Sequence, residues 1–352
     1  MADDPVIDCE DLWMVFGDRA GQHLTDARRA GRHPRDIAAD LAERDLIPAV
    51  RGVGFKVGQG ELFVVMGLSG SGKSTVIRCL SRLLEPTAGT VRIDGEDITA
   101  VPDKRLVDLR RRKMGMVFQH FGLFPHMSVA ENVAYPLKVQ GVTAKDRLAR
   151  AGEVIELVGL AGRDAAYPRE LSGGQRQRVG IARSLAVNPE IWFLDEPFSA
   201  LDPLIRRQLQ DEFLRLQGEL RKSIVFITHD IAEALKLADR IAIMRDGEIV
   251  QIGTPGEIVL NPADDYVAEF AREVPRTRLM TVSELVEPLD GRAPDQRAPA
   301  LPLDITLEDA LMRCLAAEEC RLMPVVNGSG DVVGQLSAQA LARGIGTSGA
   351  AA

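Results

Sequence analysis

The chain has 352 residues, with 45% hydrophobic and 27% charged residues and a formal net charge of −8 at pH 7. This is ordinary globular composition, long enough for two domains, and its acidic balance speaks against nucleic acid, which needs clustered Lys and Arg. No run approaches the roughly 18 apolar residues of a membrane-spanning helix, and the opening MADDPVIDCEDL lacks the charged and apolar regions of a signal peptide.

In chain order, residues 6–16 read as a strand. Residues 18–48 are Ala- and Arg-rich, with Pro34 at a helix start and Ile37 and Leu41 at i, i+4 spacing, so they read as a small helical insert. A short apolar strand at 61–66 leads into a Gly-rich loop and a helix from Lys73. Further short apolar runs fall at 90–93, 115–118, 191–194, 224–228 and 240–244, with helical stretches between many of them. Apolar strands between helices predict a largely parallel sheet covered on both faces. The basic run 110–113 reads as a solvated helix end, with an interaction patch as the alternative. Residues 288–302 have linker composition, and a small α/β module follows: helix 307–317, strand 322–326, turn 327–331, strand 332–336 and helix 337–343. Leu307, Leu311 and Leu315 would share one face of the first of these helices. The four cysteines, Cys9, Cys79, Cys314 and Cys320, show no C-x-x-C spacing, which predicts free thiols and no zinc site.

Gly67-x-x-x-x-Gly72-Lys73-Ser74 is a complete phosphate loop between a strand and a helix. Gly67, Ser69, Gly70, Ser71, Gly72, Lys73, Ser74 and Thr75 are the predicted phosphate contacts. The glycines let backbone N–H groups close around oxygens, Lys73 places a charge on the terminal phosphates, and the Ser74 hydroxyl can ligate Mg²⁺. The apolar strand 191–194 ends in two acids. Asp195 is the predicted second Mg²⁺ contact, and Glu196 the group that polarises the attacking water.

A second helix start lies at 170-ELSGGQRQRVGIARSLA-186. Ser172 can cap it, Gly173 and Gly174 leave N–H groups bare, and Arg176 and Arg178 sit where cations oppose the helix dipole. An anion brought to this end would explain the pattern. With one nucleotide site per chain, the simplest geometry is a two-fold dimer in which each phosphate loop faces the other chain's Ser172 helix.

Together GLSGSGKST, VFQHFG, LSGGQ, IWFLDEP, SALD and ITHD resemble the ATP-binding subunit of an ABC transporter, over about residues 6–270. The resemblance implies an α/β fold with a mainly parallel core sheet, an antiparallel β part and a helical subdomain. The domains would be 1–275, with the insert at about 18–50 and the helical subdomain at about 120–185, then a connecting helix and linker at 276–302, and 303–352 as a single CBS-like module with a disordered end. It implies that Gln119 contacts Mg²⁺ and the attacking water and senses the membrane partner. His229 would contact the γ-phosphate, Asp202 would link the two sites of the dimer, and Ser172, Gly173, Gly174 and Gln175 would meet ATP in trans. Phe16 would stack on adenine, with Trp13 as its rival. His120 and His126, beside Phe121 and Phe124, read as a packed loop or a surface for the membrane subunit rather than a metal site.

The insert, the wording of the Gly loop and the C-terminal module resemble the ATPase subunits of glycine betaine, proline and choline importers. Such proteins usually carry paired CBS modules; here one unit is evident, and Gln339 in 334-GQLSAQAL-341 stands where an adenosine-binding module commonly has Asp. Importers of methionine, a polyamine or a sugar are the alternative. An ABC ATPase of DNA repair or translation would need a long coiled-coil insertion or two tandem cassettes. The implied cofactors are ATP and Mg²⁺. The implied partners are a second copy through ATP, integral-membrane permease subunits and, indirectly, a periplasmic or lipid-anchored solute-binding protein. The chain would then sit peripherally on the cytoplasmic face of the membrane.

Overall fold

The computed structural model describes residues 4–29, 33–119, 122–272, 281–289, 298–316 and 322–346. His120, Phe121 and Cys320 lie outside the described residues. The chain divides into two compact units, 1–252 and 253–352.

The first unit opens with β1 (Ile7–Phe16), α1 (Ala20–Arg28), α2 (Pro34–Ala42) and β2 (Ile47–Val57). The insert is thus a helical hairpin. His33 caps α2 by accepting from Arg35 N, and Pro34 takes the first helical position. Leu24, Ile37 and Leu41 bury their stripe against Trp13, Val15 and Leu46. Trp13 is fully buried there and donates from Nε1 to Asp11 Oδ1 at 2.8 Å. Truncating it to Ala should cost about 3–5 kcal/mol.

Next come β3 (Leu62–Met66), α3 (Lys73–Leu80), β4 (Ala88–Ile93), β5 (Glu96–Asp97), α4 (Asp103–Arg112) and β6 (Met114–Val117). The basic run ends α4, and Arg110 is not solvated as expected. Its guanidinium donates to the carbonyls of Ser81 and Arg82 just after α3, whose orphan carbonyls attract a cation. Helices α5 (Val129–Val139), α6 (Ala144–Leu157) and α7 (Gly173–Leu185) pack on one another as the expected helical subdomain. Asn132, fully buried in α5, holds the preceding loop: its Nδ2 donates to the carbonyls of Phe124, Met127 and Ser128, and its Oδ1 accepts from Phe124 N. Then follow β7 (Ile191–Asp195), α8 (Pro203–Leu220), β8 (Ser223–Thr228), α9 (Ile231–Leu237), β9 (Arg240–Arg245) and β10 (Glu248–Gly253).

Two sheets result. One is antiparallel, in the order β2-β1-β4-β5; the other has the order β10-β9-β3-β8-β7-β6 and is parallel from β9 to β6. Every residue of β3, β7 and β8 is buried, as unbroken apolar runs require in a sheet covered on both faces. The registers decide where the chemistry falls. Met66 lies beside Thr228, Asp195 beside Ile227, and Val117 beside Leu194. The loops leaving β3, β8, β7 and β6 therefore emerge side by side at one edge.

The second unit holds α10 (Pro255–Leu260), α11 (Asp265–Arg272), β11 (Leu301–Pro302), α12 (Leu307–Ala316), β12 (Leu322–Val326), β13 (Val332–Ser337) and α13 (Ala338–Gly346). Its sheet runs β11-β12-β13. The 327–331 turn forms as expected, with Asn327 Oδ1 accepting from Ser329 N and Asp331 N. Two expectations need correction. The stretch expected to be a connector supplies Val282, Ala298 and Leu301 to the module's core. Leu315 does not share the face of Leu307: it is 71% exposed while Leu307 is buried. An i, i+4, i+8 stripe drifts about 80° around a helix of 3.6 residues per turn, and Ala310 takes the inner place instead.

Candidate nucleotide site

Residues 67–75 join β3 to α3 through three glycines of positive φ, and at two of them a Cβ would run into backbone. Gly72 has φ 99°, and a Cβ there would lie 2.4 Å from the carbonyl oxygen of Ala49; Gly67 has φ 154° and would meet the Met244 carbonyl at 2.2 Å. Gly70 has φ 83° and open space around it. Gly72 caps α3 without any side-chain bond, so the first N–H groups of that helix are left for a ligand. Ser71 Oγ is buried with no partner. Both features fit a phosphate chain, which accepts from N–H and O–H donors.

Lys73 is 4% exposed and donates to the carbonyls of Gly67 at 2.8 Å and Leu68 at 2.9 Å, across the loop it serves. Burial pushes its ammonium below the usual lysine range, while the charges of Glu196 and Asp195 pull it back up. Ser74 Oγ donates to Asp195 Oδ1 at 2.8 Å. Burial pushes the Asp195 carboxyl up, opposed by the Ser74 hydroxyl and by Arg78, whose guanidinium lies 3.8 Å from Oδ2. A divalent cation between Ser74 and Asp195 would favour the ionised form, and their oxygens suit Mg²⁺. Arg78 was not singled out in the sequence; its place one turn after Ser74 on α3 was the available signal.

Glu196 follows β7 in the left-handed region, at φ 46°, a conformation rare outside Gly, Asn and Asp. The turn aims its carboxylate sideways. Glu196 Oε2 accepts from Gln119 Nε2 at 3.2 Å and lies 3.1 Å from His229 Nδ1. One carboxylate oxygen therefore gathers the loops after β6 and β8. The structure thus brings together Ser74, Asp195, Glu196, Gln119 and His229 around the phosphate loop.

Phe16 and Trp13 separate cleanly. Trp13 is core, whereas Phe16 is 39% exposed at the end of β1, paired in register with the exposed Ile47 of β2. Ser172, Gly173, Gly174 and Gln175 start α7. Ser172 Oγ accepts from Gln175 N at 3.3 Å and Gln175 Oε1 accepts from Ser172 N at 3.0 Å, a reciprocal capping box. Gly174 has a second reason to be Gly: a Cβ there would lie 2.7 Å from Ile205 Cγ2 of α8, so the Ile205 side chain would have to shift to admit one. Asp202 caps α8, exposed and without a side-chain cap bond. The Ser172 hydroxyl and the Gln175 amide answer each other rather than the phosphate loop of the same chain.

Among the described residues no helix is long and apolar enough to cross a membrane. Residues 50–199 match the family model for ABC transporter. The trimethylamine N-oxide transport system ATP-binding protein TmoW of Ruegeria pomeroyi is 52% identical over 343 residues, 95% of each chain. TmoW of Pelagibacter ubique is 55% identical over 284 residues, covering 81% of this chain and 82% of its own. The glycine betaine/proline betaine transport system ATP-binding protein ProV of Escherichia coli is 46% identical over 279 residues, covering 79% and 69%. Among solved structures, the dimeric post-hydrolysis state of the ATP-binding cassette MJ0796 bound to ADP and Pi superposes with a TM-score of 0.59 at 32% identity, over 71% of this chain and 98% of that one. This chain belongs to the ATP-binding subunits of ABC transporters, and it is an ATP-hydrolysing component of a transport system.

Proposed function

We propose that the chain powers the import of a small quaternary amine or its N-oxide, such as glycine betaine, proline betaine, choline or trimethylamine N-oxide. The carrying observation is the pair of relatives above 50% identity that are named for trimethylamine N-oxide transport, supported by those named for betaine. Solute contacts belong to other subunits, so the proposal concerns the system that this chain drives.

In the reading the geometry favours, Lys73 and the open N-terminus of α3 bind the phosphates of ATP, and Phe16 stacks on the base. Ser74, Asp195 and Gln119 would hold Mg²⁺, which neutralises charge on the phosphate oxygens. Glu196 accepts a proton from the attacking water, while Gln119 and His229 hold its carboxylate in place. Ser172 to Gln175 and Asp202 would face the nucleotide of a second copy. The dimeric cassette MJ0796 supports that arrangement. A groove of about 400 Å³, lined in part by Met116, Phe118, Phe124, Tyr135, Val139 and Arg183, opens beside the Gln119 loop. It suits a cytoplasmic helix of the permease, which would place the chain peripherally on the inner face of the membrane.

The test is transport-coupled turnover. Reconstituted with its permease and solute-binding protein, the chain should show ATPase activity that rises with glycine betaine or trimethylamine N-oxide and stays flat with methionine, spermidine or maltose. Stimulation by one of the latter alone would reassign the solute.

A further inference from the structure

We propose that Arg206 is a positioning residue that ties the SALD turn to the loop bearing His229. It would carry the state of the dimer-facing turn to the catalytic carboxylate. The inference rests on the reading of Asp202 as dimer-facing.

Arg206 lies one turn into α8, four residues after Asp202. Its guanidinium reaches two loops at once. Nε donates to the Phe198 carbonyl at 3.3 Å, and Nη2 lies 3.5 Å from the Ser199 carbonyl and 3.3 Å from that of Leu201. Nη1 donates to Asp230 Oδ2 at 3.4 Å. Three carbonyls of the turn and one carboxylate of the neighbouring loop thus share a planar fork, which a lysine ammonium lacks.

Each side of the fork leads back to Glu196. On one side, Ser199 donates from N at 3.3 Å and from Oγ at 3.0 Å to the Glu196 carbonyl. On the other, Asp230 immediately follows His229. Asp230 N donates to Thr228 Oγ1 at 3.0 Å, and its second carboxylate oxygen caps α9 by accepting from Glu233 N at 3.1 Å. His229 closes the circuit on Glu196 Oε2. A second strut joins the same helices: Gln210, one turn beyond Arg206, donates from Nε2 to the buried Glu233 Oε1 at 2.9 Å. Glu196, Ser199, Arg206, Asp230 and Glu233 also line one small cavity, so nothing bulky separates them. A displacement of the turn at Ser199 to Asp202, where a second copy would press, cannot leave Asp230 and His229 unmoved while the fork holds.

The experiment uses the full chain and the variants Arg206→Ala, Arg206→Lys, Asp202→Ala and the double variant Arg206→Ala/Asp202→Ala. Thermal midpoint, equilibrium ATP binding and ATPase kcat are measured for each. Arg206 does not touch the phosphate loop, so ATP affinity should stay within about twofold. The kcat of Arg206→Ala should fall roughly tenfold, the scale of one or two charge-assisted hydrogen bonds. Arg206→Lys should recover less than about half of the loss on a logarithmic scale, because the charge returns without the fork. The double variant should be no slower than the slower single variant, since both break one linkage. A lowered thermal midpoint with unchanged kcat would overturn the proposal, as would full activity in Arg206→Lys or losses that multiply in the double variant. If Arg206→Ala does not fold, Arg206→Lys carries the same test. A wild-type chain that neither binds nor hydrolyses ATP would instead overturn the ATPase reading.

Discussion

Two helix starts in this chain are capped in opposite ways. At α3 the cap is Gly72, which offers no side chain, and Lys73 is folded into the loop beneath. At α7 the cap is Ser172, whose hydroxyl already serves the Gln175 amide while Gln175 answers in return. The first start has no side-chain cap at all; the second is exposed, and its capping box answers the Ser172 and Gln175 amides but not those of Gly173 and Gly174. An anion reaching α7, as proposed for the nucleotide of a second copy, would meet the Gly173 and Gly174 amides, which the capping box does not engage. In the proposed composite site, α3 would hold the nucleotide within one chain and α7 would meet it only when two chains associate.

The largest effect should come from Glu196, the carboxylate that Gln119 and His229 hold beside the phosphate loop. Glu196→Gln leaves both helix ends intact and should lower ATP hydrolysis roughly 10²–10⁴-fold with ATP affinity little changed. Steady-state turnover within threefold of wild type would remove Glu196 from its role. The contrast itself is sharpened by binding measurements on the single chain. Lys73→Ala should weaken ATP roughly 10–150-fold, the loss of charge-assisted contacts. Ser172→Ala should leave that affinity unchanged, and equal losses in both would erase the distinction. Stability separates the starts next. Gly174→Ala should cost about 1–3 kcal/mol in denaturant unfolding, because its Cβ meets Ile205. Ser172→Ala should cost about 1 kcal/mol, and Ser172→Gly only a few tenths. The smallest effect is expected outside the first unit. Ending the chain after Arg272 removes the three-stranded module but no residue of either start, and basal kcat should stay within about twofold. A larger fall would show the module acting on the cassette.

The phosphate loop, its strand and the acid pair were legible because short motifs with fixed geometry specify them: an apolar run, a turn that only Gly can make and a helix. The insert was legible from Pro34, Ile37 and Leu41 for the same reason. What escaped were facts of register and distance. Nothing in the sequence says that Glu196, Gln119 and His229 converge on one oxygen, since that depends on β6, β7 and β8 ending level. Gly174 was read for its bare amide, and its packing on Ile205 is a contact across 31 positions. Leu315 was misplaced because a four-residue repeat drifts off a helical face, and Ala298 and Leu301 were hidden in a stretch whose Pro and charge suggested a linker.

The most direct test of the composite site mixes two inactive chains. Lys73→Ala disables the phosphate loop, and Ser172→Arg places bulk and charge at the other start. Each alone should be nearly inactive. In a mixed dimer, Lys73 of one chain meets Ser172 of the other, which leaves one of two sites whole. Half the dimers in an equal mixture are mixed, so ATPase activity should return to roughly a quarter of wild type. A mixture no more active than either variant alone would contradict a site shared between two chains.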